Sequence, residues 1–292
     1  MPDPWVYAWS LTAAAVVSLL GGCVARRLDA GRARVASFVE EAATAAAVLA
    51  GCVVIGLQVR WPPASGLSRL FLIVLPAVVA LAWRFEGWRG RVAWGALCLA
   101  APWALWWKSV HAPATAWETT AGLAANLAAY SVSVVVLGGT AASAVELSSR
   151  SDRRVTNAVL SASLLTAGML IAMAGYLQGG AASVPLAGAL AGSCLVARAA
   201  AGEVSRDRIA AWGAASLWGV LFVGRFFGAI TTADALVVAA APSLGWAAWF
   251  AERRGASRRW TLIFHGMLVA LVLGGWLAWG FVVFRERLGR LA

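Results

Sequence analysis

Runs of uncharged, mostly apolar residues recur along the whole chain, and short clusters of arginine separate them. One such run, 119–145, extends for 27 residues. About 20 apolar residues in a helix cross the hydrocarbon layer of a bilayer. Hydrocarbon offers no partner to a backbone N–H or C=O, so a chain of this kind must satisfy those groups internally, as helices do. Only 13% of residues are charged and 61% are hydrophobic, whereas soluble domains carry about 25% charged residues. The chain therefore reads as an all-α, polytopic integral membrane helix bundle.

Ten spans fit the pattern, at roughly 5–25, 37–59, 67–84, 92–107, 119–145, 155–177, 182–201, 208–231, 235–251 and 260–284. They leave only short loops, so residues 1–292 read as a single transmembrane domain without a soluble one. The first span lacks a basic stretch before it, and Arg26 and Arg27 follow it, which is the reverse of a cleaved signal peptide.

Arginine sets the threading, because short cytoplasmic loops are enriched in positive charge. Loops after spans one, three, five, seven and nine hold 17 arginines, from Arg26 to Arg259, while the opposite loops hold Arg60, Arg69 and Lys108. The expectation is a bacterial cytoplasmic (inner) membrane protein with its N-terminus outside. The C-terminal Arg285, Arg287 and Arg290 then fall outside, against the rule. The net charge of +11 thus points to anionic lipid headgroups at the cytoplasmic arginine clusters, and not to nucleic acid.

The stretch PWALWWKSVHAPATAWE, residues 102–118, holds four of the 17 tryptophans, the only lysine and one of two histidines. Tryptophan gathers at headgroup depth, where its ring is apolar and its N–H meets water. Trp5, Trp9, Trp61, Trp103, Trp106, Trp107 and Trp117 are expected at the outer level. Trp83, Trp88, Trp94, Trp249 and Trp260 are expected at the inner one. Haem ligation by two histidines is excluded, since His111 and His265 belong to opposite faces. Cys23, Cys52, Cys98 and Cys194 lie singly in apolar runs, and no cofactor or metal is expected from them.

Residues 72–94 and 237–260 echo each other at an offset of 166, matching Pro76 with Pro242, Trp83 with Trp249, Glu86 with Glu252 and Trp94 with Trp260. A parallel repeat of this kind would give a 4+2+4 arrangement. The layout of ten spans in 292 residues is similar to that of the drug/metabolite transporter superfamily, which is built from two inverted five-span repeats. Here the echo joins span three to span nine instead of span eight, and no motif ties the chain to that family.

An ionisable group at membrane depth marks a site, because burying it in hydrocarbon is costly. Arg225 lies about 9 Å at helical rise from the outer end of span eight, and Asp234 opens span nine across a tight turn. The two are expected to form an ion pair, a solute site, or a snorkelling arginine near a surface acid. Span five carries a stripe of Thr119, Gly122, Asn126, Tyr130, Ser133 and Thr140 at helical spacing. Asn126, Tyr130 and Ser133 are substrate-binding candidates on that face, and the same groups serve as hydrogen bonds between helices. Glu40 and Glu41 are expected in the first turn of span two, facing the helix dipole. Gly188 and Gly192, with Gly168 and Gly175 in span six, are expected to allow close helix packing.

No hydrolase, zinc-protease or phosphate-loop motif is present, and no acidic cluster could hold a divalent metal. The leading expectation is a non-enzymatic, transporter-like permease for a small or amphipathic solute. The alternative is a non-catalytic subunit of a larger membrane complex, with partner subunits or a homo-oligomer. A membrane-embedded transferase ranks below both.

Overall fold

The computed structural model describes residues 3–29, 33–84, 87–106, 120–150, 153–196 and 204–289. The described chain is all-helical. Its helices are α1 (Pro4–Asp29), α2 (Ala33–Val54), α3 (Gly66–Arg69), α4 (Leu75–Arg84), α5 (Gly87–Trp106), α6 (Thr120–Arg150), α7 (Arg153–Met173) and α8 (Leu177–Val196). They continue with α9 (Val204–Phe226), α10 (Thr232–Ala240), α11 (Gly245–Arg253) and α12 (Arg258–Gly289). A π-helical turn, Leu70–Val74, joins α3 to α4, and a 3-10 turn, Ala241–Leu244, joins α10 to α11. Each expected apolar run is thus helical, two of them as interrupted helices.

Among the described residues, six helices are long and apolar enough to cross a membrane: Pro4–Leu28, Leu127–Arg150, Arg154–Met173, Arg208–Phe226, Thr232–Arg253 and Arg258–Glu286. The others are less uniformly apolar or shorter. α2 contains Glu40 and Glu41; α5 begins with Arg89 and Arg91 and contains Pro102; α8 contains Pro185 and four glycines. Gly66–Leu81 is shorter.

α9 is the centre of the bundle: 89% of its apolar stretch is buried, against 11% for α12 at the periphery. α1 and α2 form a hairpin, α8 packs on α1 and α7, and α9 packs on α6, α7 and α8. Small residues set the spacing of these contacts. A Cβ at Gly188 would stand 2.5 Å from the Leu11 carbonyl oxygen of α1, and one at Gly192 would overlap the Ala15 carbonyl. Gly168 likewise meets Ser183 and Gly180 of α8. The glycine pattern therefore works as expected, with one correction. Gly175 is not on a packing face; it follows the end of α7 at φ +96° with open space around it. Its N–H donates to Ala172 and that of Tyr176 to Ile171, at 3.0 and 3.1 Å. That is a left-handed helix stop, which only glycine takes without strain.

Polar side chains add cross-links. Ser10 donates to the Gly51 carbonyl at 2.8 Å, Ser161 to the Ala187 carbonyl at 2.8 Å, and Asn157 to Ser193 Oγ at 3.1 Å. The tryptophans differ in exposure. Trp5, Trp9, Trp61, Trp88, Trp103 and Trp260 are exposed, but Trp106 is buried. Its ring packs on Phe222 and Phe226 of α9, with centroids 5.5 and 4.8 Å away, so it belongs to the core instead of the outer belt.

Candidate functional site

α6 and the interrupted helix α10–α11 run together, and a cavity opens on each side of the interruption. The first cavity, of about 220 Å³, lies between α6, α9 and α10. Trp218, Phe222 and Phe226 form one wall, Val132 and Ser133 another, and Arg225 is its single charged group. Arg225 is exposed. Its Nε donates to Thr232 Oγ1 at 2.9 Å, and its guanidinium lies 5.7 Å from the centre of the Phe226 ring.

Arg225 and Asp234 form no ion pair, although the tight turn brings their helices together. The Asp234 carboxylate is engaged elsewhere. It accepts from the Thr231 N–H at 2.8 Å and from Thr231 Oγ1 at 2.7 Å, completing a capping box at the start of α10. Its other oxygen accepts from Trp276 Nε1 of α12 at 2.9 Å. The capping box, which satisfies two N–H groups at the helix start, holds the carboxylate in place of the guanidinium nearer the surface.

The polar stripe of span five divides. Ser133 lines the cavity, but its hydroxyl donates to the Ala129 carbonyl of its own helix at 2.8 Å. Its carbonyl accepts from Trp218 Nε1 at 3.0 Å, which ties α6 to α9. Tyr130 donates to the Leu99 carbonyl of α5. Thr140 donates to Val136 at 2.7 Å. Asn126 belongs to α6, but its side chain lies outside the described residues, as do Thr119, Glu118, Lys108, His111, Trp107 and Trp117.

The second cavity, of about 260 Å³, lies at the arginine-rich end, between α6, α7, α11 and α12. Arg150, Thr156, Glu252, Arg258 and His265 supply its polar lining, and Trp249 stands beside them. Along α6 the cavities are separated by the residues from Val136 to Leu147, about 16 Å at helical rise. Between them is a polar contact at the helix interruption. Ser143 Oγ of α6 lies 3.3 Å from Ser243 Oγ, and Trp246 Nε1 donates to Ser143 Oγ at 2.9 Å. Pro242, which lacks an N–H, explains why the helix tightens into a 3-10 turn there.

Two charged features escaped the linear pattern. Arg69 sits inside the third apolar segment and is 5% exposed, not an outer-loop charge. Its Nε donates to Pro63, its Nη1 to Leu105 and its Nη2 to Ala64, all carbonyl oxygens, at 3.1, 3.2 and 3.1 Å. Leu105 belongs to α5. Glu41 is not in a first turn either, since α2 begins at Ala33. It is buried and pairs with Arg208 of α9 at 3.2 Å. Arg69 could have been flagged as a charge within an apolar run, whereas nothing local in the sequence points Glu41 at Arg208. Among the described residues, no group of three or more His, Cys, Asp or Glu side chains could hold a metal ion.

No protein-family model, no curated protein and no solved structure matches the chain.

Proposed function

We propose that the chain is a permease for a small or amphipathic solute, threaded as ten crossings of a bacterial inner membrane with its N-terminus outside. The observation that carries this reading is the pair of cavities along α6 and α10–α11, one on each side of the Ser143–Ser243–Trp246 contact. Interrupted helices with binding cavities at the break are a recurring device of transporters. The Arg225 cavity lies toward the expected outer face and the His265 cavity toward the expected inner one. A solute would move along the α6 groove when the serine–tryptophan contact opens. The echo between 72–94 and 237–260 covers α4 and α11, but the π-helical turn at Leu70–Val74 and the 3-10 turn at Ala241–Leu244 fall at different places in it.

The test needs no known solute. Cys23, Cys52, Cys98 and Cys194 are first replaced by Ala. Ala239→Cys then probes the first cavity and Ala248→Cys the second, both being buried positions that line them. A membrane-impermeant thiol reagent is expected to label Ala239→Cys only in intact spheroplasts and Ala248→Cys only in inside-out vesicles. Labelling of both from one side would sink the two-cavity path, and labelling of neither would show that water does not reach them.

One observation favours the subunit reading. α12 exposes Phe264, Met267, Leu271, Trp279 and Phe281, and a Cβ at Gly266, Gly274 or Gly275 would meet nothing. A partner helix could approach closely there. Native mass spectrometry after gentle extraction separates the readings: a stoichiometric second protein favours the subunit, and a monomer or homodimer favours the permease.

A further inference from the structure

We propose that the cavity at the arginine-rich end is a binding site for a phosphate ester. This assignment concerns binding alone and stands whether or not the α6 groove conducts a solute. Donors converge on the space from separate helices: Arg150 of α6, Thr156 of α7, and Arg258 and His265 of α12. Arg258 and His265 are seven residues apart, which brings them to one face of α12. Glu252 of α11 completes the polar lining.

Two features mark this as a built site instead of a chance hollow. Arg150 is held in place: it pairs with Glu146, and its guanidinium lies 5.0 Å from the Trp249 ring centre and 5.7 Å from that of Trp246. The Glu146 carboxylate takes its Nε and Nη2, so Nη1 is the nitrogen left to donate to an oxyanion. The second feature is His265. It is 5% exposed, and its Nε2 is buried without a hydrogen-bond partner. Buried polar atoms are rarely left so in proteins, and a ligand in the adjoining cavity is a source of the missing bond.

The shape of the donor set selects the chemistry. Guanidinium groups on two different helices, with an imidazole and a hydroxyl, offer more donors than the two coplanar oxygens of a carboxylate accept. A tetrahedral oxyanion presents oxygens in each of those directions. A water molecule takes up about 30 Å³ in the liquid, so about 260 Å³ holds a phosphate and an organic remainder. Val155, Val159, Pro242 and Leu262 give that remainder an apolar wall. Glu252 accepts a hydroxyl or ammonium hydrogen from it and disfavours polyphosphates. Both a soluble phosphate ester and a phospholipid headgroup have this chemistry.

The chain has two histidines, so ¹⁵N-histidine labelling yields a simple spectrum in which His265→Gln identifies the relevant signal. The protein is held in maltoside detergent free of phospholipid and titrated with glycerol 3-phosphate, with phosphatidylglycerol, or with sodium chloride at matched ionic strength. The expected result is a saturable shift of the His265 signal, with His111 unmoved, and binding weakened about tenfold or more by Arg258→Gln, as for loss of a charge-assisted bond. A response to glycerol phosphate assigns a soluble-sized ester, and a response to the lipid alone assigns a headgroup. No shift with either ligand, an equal shift with chloride, or a titration unaltered in Arg258→Gln would overturn the assignment. Arg150→Gln replaces Arg258→Gln should the latter not fold, and the titration of the unsubstituted protein decides the question by itself.

Discussion

Replacing Arg69 by Met should lower stability in a detergent denaturation series by about 3–5 kcal/mol, from loss of charge-assisted hydrogen bonds worth about 1.5–3 kcal/mol each. The reason is the number of groups that one guanidinium satisfies. Pro63 and Ala64 belong to the segment before α3, and Leu105 to the end of α5. Without Arg69, all three buried or half-buried carbonyls lose a donor, and that segment is no longer fastened to α5. Arg69→Lys is the sharper experiment. Lysine keeps the charge but offers its donors from one point, and cannot span carbonyls arranged around a planar fork. A loss close to that of the Met variant is expected. If Arg69→Lys changes stability by less than about 1 kcal/mol, charge and not geometry holds the position, and the fork argument fails.

The second large effect is expected at Glu41. Glu41→Leu removes the carboxylate opposite Arg208, and breaking a buried ion pair from one side costs about 3–5 kcal/mol. Changing both partners, Glu41→Leu with Arg208→Met, should recover most of that loss, because a well-packed apolar pair often substitutes for a buried ionic one. The measurement is the same denaturation series on single and double variants, read as a double-mutant cycle. Additive losses in the double variant would mean that the two residues act separately. The bond joins α2 to α9, so its loss should loosen the α1–α2 hairpin from the centre of the bundle.

These two residues also show where a linear reading stops. The helices were legible because hydrocarbon leaves the backbone no other option, and apolar runs record that demand directly. The close packing of α8 on α1 was legible because Gly188 and Gly192 are adjacent on one helical face. Even the end of α7 had a local sign in Gly175, although its spacing suggested a packing role. The charged groups were a different matter. Glu41 and Arg208 are 167 residues apart, and no period or motif relates them. For Asp234, pairing with the nearest membrane-depth arginine is one of three arrangements the sequence allows. A capping residue three positions earlier, Thr231, and a tryptophan on α12, Trp276, hold it instead. Local competition for a carboxylate is decided by geometry that the sequence does not state. The two cavities were invisible for a similar reason: each is enclosed by three or more elements distant in the chain.

The 167-residue separation of Glu41 and Arg208 also bears on how the protein is made. Ribosomes add roughly 5–20 residues per second, so Arg208 follows Glu41 by about 8–33 s. Throughout that interval α2 has been synthesised while the guanidinium that pairs with it has not. The ion pair therefore closes only after α9, a segment from the last third of the chain, has been made. A nascent chain halted just before Arg208 would hold its first hairpin through α8 alone, without the tie from α2 to α9.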